Sequence, residues 1–392
     1  MKSRRRIYLA VGEESDVISF INENNLHKIF LNFRREVESL KCTHFDNNIL
    51  FNDGNEGYAD SVVTTAIEIL NLKLRHKMLY EETIIIYGLG DSFKTIERVI
   101  EVADHFFYDV EVLFFNDNYN KVQNLIEAGK YVLNHSSVSD SDSSIHSLFL
   151  TYDEVKVNLD NYKKLYVFGD IHGCHTQIKN FEEKFGWRDD CFYIFIGDYI
   201  NRGKHSVELF QFVIDNIDKE NFIFCLGNHE KVIYRHFVNA SGRNIFSIER
   251  YPEFKAIGMS DKTIFETYDK MKMFFAAEFK GRNLFFCHGG ISDIPERPNL
   301  ETGFVYTNGD PLPAHNVEQM FDINQRGKDE QDRWTLFHGH RNIIKPFGLD
   351  SRLYSHSLDF KIERGGYLGV AQIGKEIDFY FINEVEVKKQ QR

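Results

Sequence analysis

The sequence predicts an α/β protein, because strand-like and helix-like segments alternate along most of its 392 residues. The strand-like segments are short apolar runs. Between them, apolar residues recur three and four positions apart, as they do on one face of a helix. Alternation of this kind is typical of parallel strands that helices cover on both faces. In the second half, several apolar runs lead directly into glycine with Asp, Asn or His, which predicts a ligand site beyond the carboxyl ends of the strands.

Composition narrows the class of protein. Hydrophobic residues make up 42% of the chain, which is typical of a folded globular protein and excludes a disordered one. The formal net charge of −12 provides no overall attraction for nucleic acid, and it leaves a local basic groove open. The five cysteines are odd in number and lack CxxC spacing, which argues against both a disulfide framework and a cysteine zinc site.

The sequence carries no sign of membrane insertion or secretion. No apolar run approaches the length that is needed to cross a bilayer. The basic amino terminus leads into one strand-sized apolar stretch, and acidic residues end that stretch at once, so no signal peptide is predicted. We therefore expect a cytoplasmic protein that does not contact a membrane.

Two domains and a connector are predicted. Residues 1–134 form a smaller α/β domain, residues 135–151 a Ser- and Asp-rich polar linker, and residues 152–392 the second domain. The strands of the first domain are predicted at 7–11, 28–32, 83–87 and 110–115, and its clearest helices at 59–79 and 92–106.

The second domain contains the most distinct strands of the sequence. They are predicted at 164–169, 192–197, 221–226, 283–287, 336–338, 367–373 and 377–382. The first three are continuous apolar runs, as expected for strands that are buried on both faces. The intervening segment 231–281 is predicted to form helices that cover the ligand site.

The first two of these strands lead into acidic residues. Asp170 and His172 follow the first strand, and residues two apart in an extended segment face the same side, so both can bind one cation. Asp198 follows the second strand, where its carboxylate can bridge two cations. Arg202 lies four residues further on, and its planar guanidinium suits a phosphate group.

The next three strands lead into an amide and three imidazoles. Asn228 offers a carbonyl oxygen to a second cation, and His229 beside it is a candidate acid for a leaving oxygen. His288 and His340 follow the fourth and fifth strands. Each cluster alone is an ordinary turn, but five of them, each after its own strand, predict a two-metal phosphoesterase site. Mixed oxygen and imidazole ligands suit Mn²⁺, Fe or Zn²⁺.

The order of these motifs, GDxHG, GDxxxRG, GNHE, HGG and GH, resembles that of the calcineurin-like metallophosphoesterases. It is most similar to the phosphoprotein-phosphatase branch, which includes diadenosine tetraphosphatases and the phosphatase module of bacterial polynucleotide kinase-phosphatase. The resemblance covers about 220 residues and implies a two-sheet sandwich with flanking helices.

The resemblance also implies a role for each motif residue. The residues implied to hold the first cation are Asp170, His172 and Asp198. The residues implied to hold the second cation are Asp198, Asn228, His288 and His340. The residues implied to bind phosphate are Arg202 and Asn228, and His229 is the implied general acid.

The chain departs from the family pattern in three places. Asn201 stands where an aspartate usually orients the acid histidine, and Arg341-Asn342 replaces the usual Thr-Pro. Asp359 keeps the acid of the last motif, but the glycine of that motif is missing. We expect these changes to affect rate and substrate preference more than the class of reaction. His338, two residues before His340, is expected to support a ligand or to belong to the strand.

The first domain resembles the kinase module of bacterial polynucleotide kinase-phosphatase in the order of its elements. The turn after its first strand, from Gly12 to Asp16, lacks the lysine and the length of a phosphate-binding loop. The domain is therefore predicted to be a degenerate P-loop kinase, with a generic α/β domain as the alternative. Either would act in scaffolding, substrate presentation or homo-oligomer formation.

The predicted reaction is one-step hydrolysis of a phosphate ester by a metal-activated water. Two divalent cations are expected, with Mn²⁺ preferred and Fe or Zn²⁺ as alternatives. The preferred substrate is a nucleotide or RNA-end phosphate, including a 2′,3′-cyclic phosphate. The alternatives are a serine/threonine phosphoprotein and a dinucleoside polyphosphate. A non-catalytic phosphate-binding protein is disfavoured, because every ligand position is filled.

Overall fold

The computed structural model describes residues 5–11, 13–23, 26–36, 60–88, 93–114, 152–238, 246–295, 303–341, 349 and 352–390. Contacts divide the chain into two units, Met1–Leu150 and Thr151–Arg392. The predicted linker, 135–151, lies wholly outside the described residues, so the predicted domain boundaries stay a prediction. No helix in the described part of the chain combines the length and the apolar character that a bilayer span requires.

The first unit contains a parallel four-stranded sheet with the order β2-β3-β1-β4. Its strands are β1 (Arg6–Val11), β2 (Phe30–Asn32), β3 (Ile84–Tyr87) and β4 (Asp109–Phe114). Its helices are α1 (Glu14–Glu23), α2 (Asp60–Leu79) and α3 (Phe93–His105). This is the parallel α/β architecture that the sequence predicts. Gly12 lies outside the described residues, and the kinase ancestry of this unit stays a prediction.

The second unit contains two mixed sheets. Its first six strands are β5 (Val157–Asn158), β6 (Lys164–Phe168), β7 (Cys191–Phe195), β8 (Phe222–Phe224), β9 (Phe275–Phe279) and β10 (Arg282–Phe286). The others are β11 (Trp334–His338), β12 (Ser355–Ser357), β13 (Asp359–Phe360), β14 (Tyr367–Ile373), β15 (Ile377–Ile382) and β16 (Val387–Lys389). One sheet has the order β16-β15-β14-β6-β7-β8, with β13 beside β14, and the other has the order β12-β11-β10-β9-β5.

Helices connect and cover these strands. They are α4 (Tyr152–Val155), α5 (His175–Phe185), α6 (Ser206–Asn216), α7 (Lys231–Phe237), α8 (Tyr251–Ala256), α9 (Asp261–Lys270), α10 (Gly303–Asn308) and α11 (Ala314–Arg326). A π-helical turn spans Phe246–Arg250, and 3₁₀ turns span Glu330–Asp332 and Ile362–Arg364.

The hydrophobic core of this unit lies between the two sheets. Val167 and Ile194 of one sheet belong to the same buried cluster as Phe286 and Phe337 of the other. Each buried Phe side chain contributes about 2 kcal/mol, so this packing holds the strand ends in fixed relative positions. The two-sheet sandwich with flanking helices that the resemblance implies is thereby confirmed.

One part of the predicted helical insert is wrong. Residues 275–279, at the end of the segment 231–281, form β9 and pair antiparallel with β10. The turn between them has two consecutive left-handed residues, Lys280 at φ 51° and Gly281 at φ 74°. Such a pair matches the right-handed twist of a hairpin. The apolar run alone fits a helix as well as a strand, and the hairpin turn decides for the strand.

Candidate metal centre

The predicted ligands follow five strands of the sandwich. Those residues are Asp170 and His172 after β6, Asp198 after β7, Asn228 after β8, His288 after β10 and His340 after β11. Two groups of side chains have ligand atoms that all lie within 4.8 Å of one another. The first group is His172, Asp198 and His229, and the second is Asp198, His288 and His340. The two sheets therefore bring the predicted residues together.

Asp198 is the residue that both groups share. Its Oδ2 lies 3.4 Å from Nε2 of His172 and 3.3 Å from Nε2 of His288. Nε2 of His229 is 3.9 Å from the same oxygen. The other oxygen, Oδ1, accepts the backbone N–H of His229 at 3.0 Å, which fixes the carboxylate in place.

Asn228 faces two imidazoles of the second group. Its Oδ1 lies 3.1 Å from Nε2 of His288 and 3.0 Å from Nδ1 of His340. On the other side of its ring, His288 donates from Nδ1 to the carbonyl oxygen of Ile196 at 3.1 Å. That hydrogen bond leaves Nε2 of His288 unprotonated in the neutral ring, as is usual for a metal-binding histidine.

Asp170 lies beside both groups. Its Oδ2 is 3.8 Å from Nε2 of His172, and its Oδ1 is 3.8 Å from Nδ1 of His288. The backbone N–H of His340 donates to this carboxylate at 3.2 Å. Burial, and then the carboxylate of Asp359, raise the pKa of Asp170 well above its usual range. Asp359, the acid that the last motif retains, therefore acts on this predicted ligand.

The pKa shifts favour neutral imidazoles at His172 and His340 and an ionised carboxylate at Asp198. Burial lowers the pKa of His172 and of His340 to about 4 each. Burial alone would raise the pKa of Asp198, but the imidazoles of His288 and His172 bring it well below its usual range. Cation binding requires these protonation states, because lone pairs are the ligands.

The raised pKa of His288 indicates that the buried carboxylates lack a neutralising positive charge. Burial alone would lower the pKa of His288, but Asp198 and then Asp170 outweigh it and raise the pKa to about 10. Without a metal, a proton on this ring partly neutralises the buried carboxylates. In addition, Nδ1 of His172 is buried with no hydrogen-bond partner in the described part of the chain. Converging lone pairs with so little neutralising charge fit divalent cations.

Arg202 and His229 lie at the edge of this cluster. Nη1 of Arg202 is 2.9 Å from Nε2 of His172, and the arginine side chain is 38% exposed, so it reaches both the ligands and solvent. Nδ1 of His229 lies 3.1 Å from Nδ2 of Asn201. Asn201 therefore occupies the place at which the resemblance implies a partner for His229.

The backbone around the site is strained. Nine non-glycine residues of the described part have positive φ, and five of them belong to this site, namely His172, Asp198, Asn201, Arg202 and His340. Conformations of this kind persist where the surrounding structure fixes them, and here they aim the side chains. Several motif glycines are required by close approach, and two of them contact the carboxylates of the site. A Cβ on Gly227 would overlap Oδ1 of Asp198, and a Cβ on Gly339 would overlap Oδ1 of Asp170.

Glu230 is fully buried beside the cluster, and the sequence pattern predicts no role for it. Its carboxylate accepts four backbone N–H groups, those of Asp198, Tyr199, Ile200 and Gly227, at 2.8–3.2 Å. It therefore ties the loop after β7 to the loop after β8. Burial, and then Asp198, raise the pKa of Glu230 to about 7. The one sequence feature that could have pointed to this role is that Glu230 stands just before α7.

His338 and Arg341 lie outside both ligand groups. His338 ends β11, where its Nδ1 donates to the carbonyl oxygen of Gly339 at 3.0 Å and its Nε2 lies 3.7 Å from Glu318. Nη2 of Arg341 donates to the carbonyl oxygens of Gly290 and Asp310 at 2.7 Å. Arg341, which replaces the usual threonine, therefore fastens neighbouring loops. Asn342 lies outside the described residues.

A family model and curated relatives both match this chain as a phosphoesterase. The family model described as calcineurin-like phosphoesterase matches residues 163–367, just over half of the chain. The asymmetrical bis(5′-nucleosyl)-tetraphosphatase PrpE of Bacillus cereus (strain 03BB102) is 29% identical over 224 residues, covering 52% of this chain and 86% of the relative. The protein of the same name from Bacillus anthracis (strain A0248) gives the same identity and coverage.

Two solved structures are also similar. One is a protein serine/threonine phosphatase from Saccharomyces cerevisiae with similarity to human phosphatase PP5. It has a TM-score of 0.42 and 18% identity, and the match covers 68% of this chain and 94% of that one. The other is a metallophosphoesterase from Sphaerobacter thermophilus, with a TM-score of 0.35, 13% identity, and coverage of 58% and 90%.

The family match and the converging ligands together make this protein a metal-dependent phosphoesterase, a hydrolase of phosphate esters. The match spans the second unit from just before β6 to the start of β14, which includes every predicted ligand. The chain belongs to the calcineurin-like phosphoesterase family.

Proposed function

We propose that this protein hydrolyses a phosphate ester of a nucleotide or of an RNA end, including a 2′,3′-cyclic phosphate, at a site for two divalent cations. One observation carries the proposal: Oδ2 of Asp198 has His172 on one side at 3.4 Å and His288 on the other at 3.3 Å. A carboxylate with ligands on both sides suits two cations that share it. The oxygen and imidazole ligands suit Mn²⁺ first, with Fe or Zn²⁺ as alternatives.

When bound, the two cations would supply an activated water and neutralise charge on the phosphoryl oxygens. The residues that would hold the first cation are Asp170, His172 and Asp198. The residues that would hold the second cation are Asp198, Asn228, His288 and His340.

The chain supplies the remaining functions through its own side chains. Arg202 presents its guanidinium at the mouth of the cluster, where its planar fork binds phosphoryl oxygens. His229 donates a proton to the leaving oxygen from Nε2, while Asn201 fixes the other side of the ring at Nδ1. The reaction takes one step, so no covalent intermediate with the chain is formed.

A dinucleoside polyphosphate is the second candidate substrate. The relatives named bis(5′-nucleosyl)-tetraphosphatases align with this chain over 86% of their length. Such a substrate shares with the first candidate a nucleotide attached to the reacting phosphorus. It differs in that the bond to be cleaved joins two phosphates.

A substrate panel with Mn²⁺ tests the proposal. It contains p-nitrophenyl phosphate, a 2′,3′-cyclic nucleotide, an RNA with a 3′-phosphate, diadenosine tetraphosphate and a phosphoserine peptide. We expect kcat/KM to be at least about tenfold higher for the best nucleotide-containing substrate than for the peptide. A phosphopeptide that exceeds every nucleotide substrate would contradict the substrate class.

The same panel tests the shared carboxylate. Asp198→Asn should lower kcat/KM at least about a thousandfold, because both cations lose a charged ligand. The matched control is Asp189→Asn, which makes the same change of charge at an exposed position and should keep the wild-type rate. Near wild-type turnover by Asp198→Asn would show that Asp198 is not shared between two cations.

A further inference from the structure

The guanidinium that faces the reaction site is already paired with a carboxylate. Glu363 lies in the 3₁₀ turn Ile362–Arg364, and its Oε1 accepts a hydrogen bond from Nη1 of Arg202 at 3.2 Å. The Glu363 side chain is only 5% exposed. Nothing in the sequence distinguishes Glu363 from an ordinary acidic residue in a loop.

Of the arginines that the structure describes, Arg202 is the nearest to Glu363. The other oxygen of Glu363, Oε2, is buried and has no hydrogen-bond partner among the described residues. Nε of Arg364 lies 3.6 Å from Oε1, but the Arg364 side chain is 72% exposed, so solvent screens that pair. Glu363 is nearly buried and the Arg202 side chain is 38% exposed, so solvent screens this pair less than it screens the pair with Arg364.

Arg202 keeps two guanidinium nitrogens, Nε and Nη2, for a substrate. Both of its contacts use Nη1, one with Glu363 and one with His172. Nε and Nη2 of Arg202 have no hydrogen-bond partner in the described part of the chain. Phosphoryl oxygens that bind there share the guanidinium with Glu363, and they lie close to its negative charge.

The affinity of this arginine for a phosphoryl group therefore depends on the negative charge of the substrate. At neutral pH a phosphomonoester carries nearly two negative charges, because its second pKa is about 6. A phosphodiester, cyclic or open, carries one. Arg202, partly neutralised by Glu363, attracts the second negative charge of a monoester less than a free arginine does, and Glu363 repels that charge.

We propose that Glu363 makes this site select phosphodiesters, including 2′,3′-cyclic phosphates, over dianionic phosphomonoesters. Glu363 acts through Arg202 and is a positioning residue that determines specificity by charge. This inference rests on the proposed function, in which Arg202 binds the phosphoryl oxygens. It deepens that function by naming the charge class of the substrate.

The test compares p-nitrophenyl phosphate with bis(p-nitrophenyl) phosphate, which share a leaving group and differ in charge. It is performed with Mn²⁺ at about pH 8, where the monoester is a dianion. Wild-type protein should have the higher kcat/KM for the diester. In Glu363→Gln, which keeps the shape and an oxygen for Arg202, the monoester-to-diester ratio of kcat/KM should rise about tenfold, equivalent to about 1.4 kcal/mol. The change should come mainly from a lower KM for the monoester.

Two variants separate charge from shape. Glu363→Asp restores the negative charge and should return the ratio towards the wild-type value. Glu183→Gln makes the same change of charge at an exposed position of α5 and should leave the ratio unchanged. A role that is only structural would lower kcat/KM for both substrates together.

The outcomes distinguish the two proposals. An active wild-type enzyme whose ratio is the same in Glu363→Gln overturns the inference and leaves the proposed function in place. A wild-type preference for the monoester also overturns it, and that measurement does not depend on how well a variant folds. Wild-type protein that hydrolyses neither substrate with Mn²⁺ refutes the proposed function, and the inference falls with it.

Discussion

His229 is held by an amide rather than by a carboxylate. Nδ2 of Asn201 lies 3.1 Å from Nδ1 of the ring, and Oδ1 of Asn201 is buried without a partner in the described part of the chain. If the amide turns over, Oδ1 accepts a hydrogen bond from the protonated ring, but it adds no negative charge. Burial lowers the pKa of His229, and Asp198 opposes that effect only in part. The ring therefore loses its proton at a lower pH than an exposed histidine does.

Asn201→Asp should supply the missing negative charge and so raise the pKa of His229. A carboxylate beside Nδ1 raises the pKa of His229, and the protonated ring exists below that pKa and is lost as the pH rises through it. The alkaline limb of the kcat/KM profile should therefore move up by about one pH unit. Turnover of an alkyl phosphate should gain more than that of p-nitrophenyl phosphate, because the alkoxide needs the proton. Profiles of pH against rate for both substrates measure the effect.

Asn201→Ala serves as the control for this prediction. It removes the contact and adds no charge, so turnover of the alkyl phosphate should fall and the alkaline limb should not move upward. An equal gain on both substrates in Asn201→Asp, or a loss on both, would show that this residue does not act through His229.

At the scale of elements, the hairpin between β9 and β10 depends on the conformation of Gly281. Its φ is 74°, and an added Cβ would meet no atom within 4 Å, so a substitution there changes backbone strain alone. Gly281→Ala should lower the free energy of unfolding by about 1 kcal/mol. The midpoint of urea-induced unfolding measures the change.

A second turn glycine provides a matched control. A Cβ on Gly374, between β14 and β15, would come no closer than 3.9 Å to another atom, the carbonyl oxygen of Glu376. Gly374 is not among the positive-φ glycines, so Gly374→Ala should change the free energy of unfolding by less than about 0.5 kcal/mol. Equal losses in the two variants would mean that φ strain does not set the effect.

Some elements could be predicted from the sequence and others could not. β6 and β7 are continuous apolar runs that end near glycine, and their predicted bounds differ from the observed ones by at most two residues. β9 also suits a helix by its composition, and only its pairing with β10 decides its structure. β12 and β13 are three and two residues long, too short to carry a periodic pattern.

The same distinction applies to the site. Asp198 and His288 could be predicted because each follows an apolar strand, and within each sheet the ends of parallel strands meet at one edge. Glu230 and Glu363 could not, because their roles depend on which backbone N–H groups or which arginine packing brings beside them. The roles of the predicted residues as ligands, phosphate binders and acid stay predictions that the variants above test.

At the scale of the whole molecule, the predicted ligands come from both sheets of the sandwich. Asp170 and Asn228 follow strands of the seven-stranded sheet, whereas His288 and His340 follow strands of the five-stranded one. The cluster exists only when the sheets are packed together. Cation binding and the stability of the second unit are therefore linked.

Chelation should reveal this linkage. Excess EDTA should abolish hydrolysis and lower the melting temperature, and Mn²⁺ should restore both. At a cation concentration about 100 times its Kd, the linkage is worth about 2.7 kcal/mol, or about 5–10 °C in melting temperature for a unit of this size. Differential scanning fluorimetry and a p-nitrophenyl phosphate assay on the same samples measure the two effects.

Asp198→Asn provides the control for the thermal effect. Its melting temperature should respond to Mn²⁺ much less than that of the wild type, because the shared ligand is weakened. Full hydrolytic activity in excess chelator would contradict the dependence on metal. An equal thermal response of the variant would place the stabilising cation at another site.

The contact between Asp170 and the backbone of His340 spans 170 positions of the chain. During synthesis at about 5–20 residues per second, about 10–30 s pass between the appearance of the first residue and that of the second. Through that interval the nascent chain exposes carboxylates and imidazoles that form only part of a chelating site. The proposed metal site can therefore be complete only after the strand that leads to His340, Trp334–His338, has joined the fold.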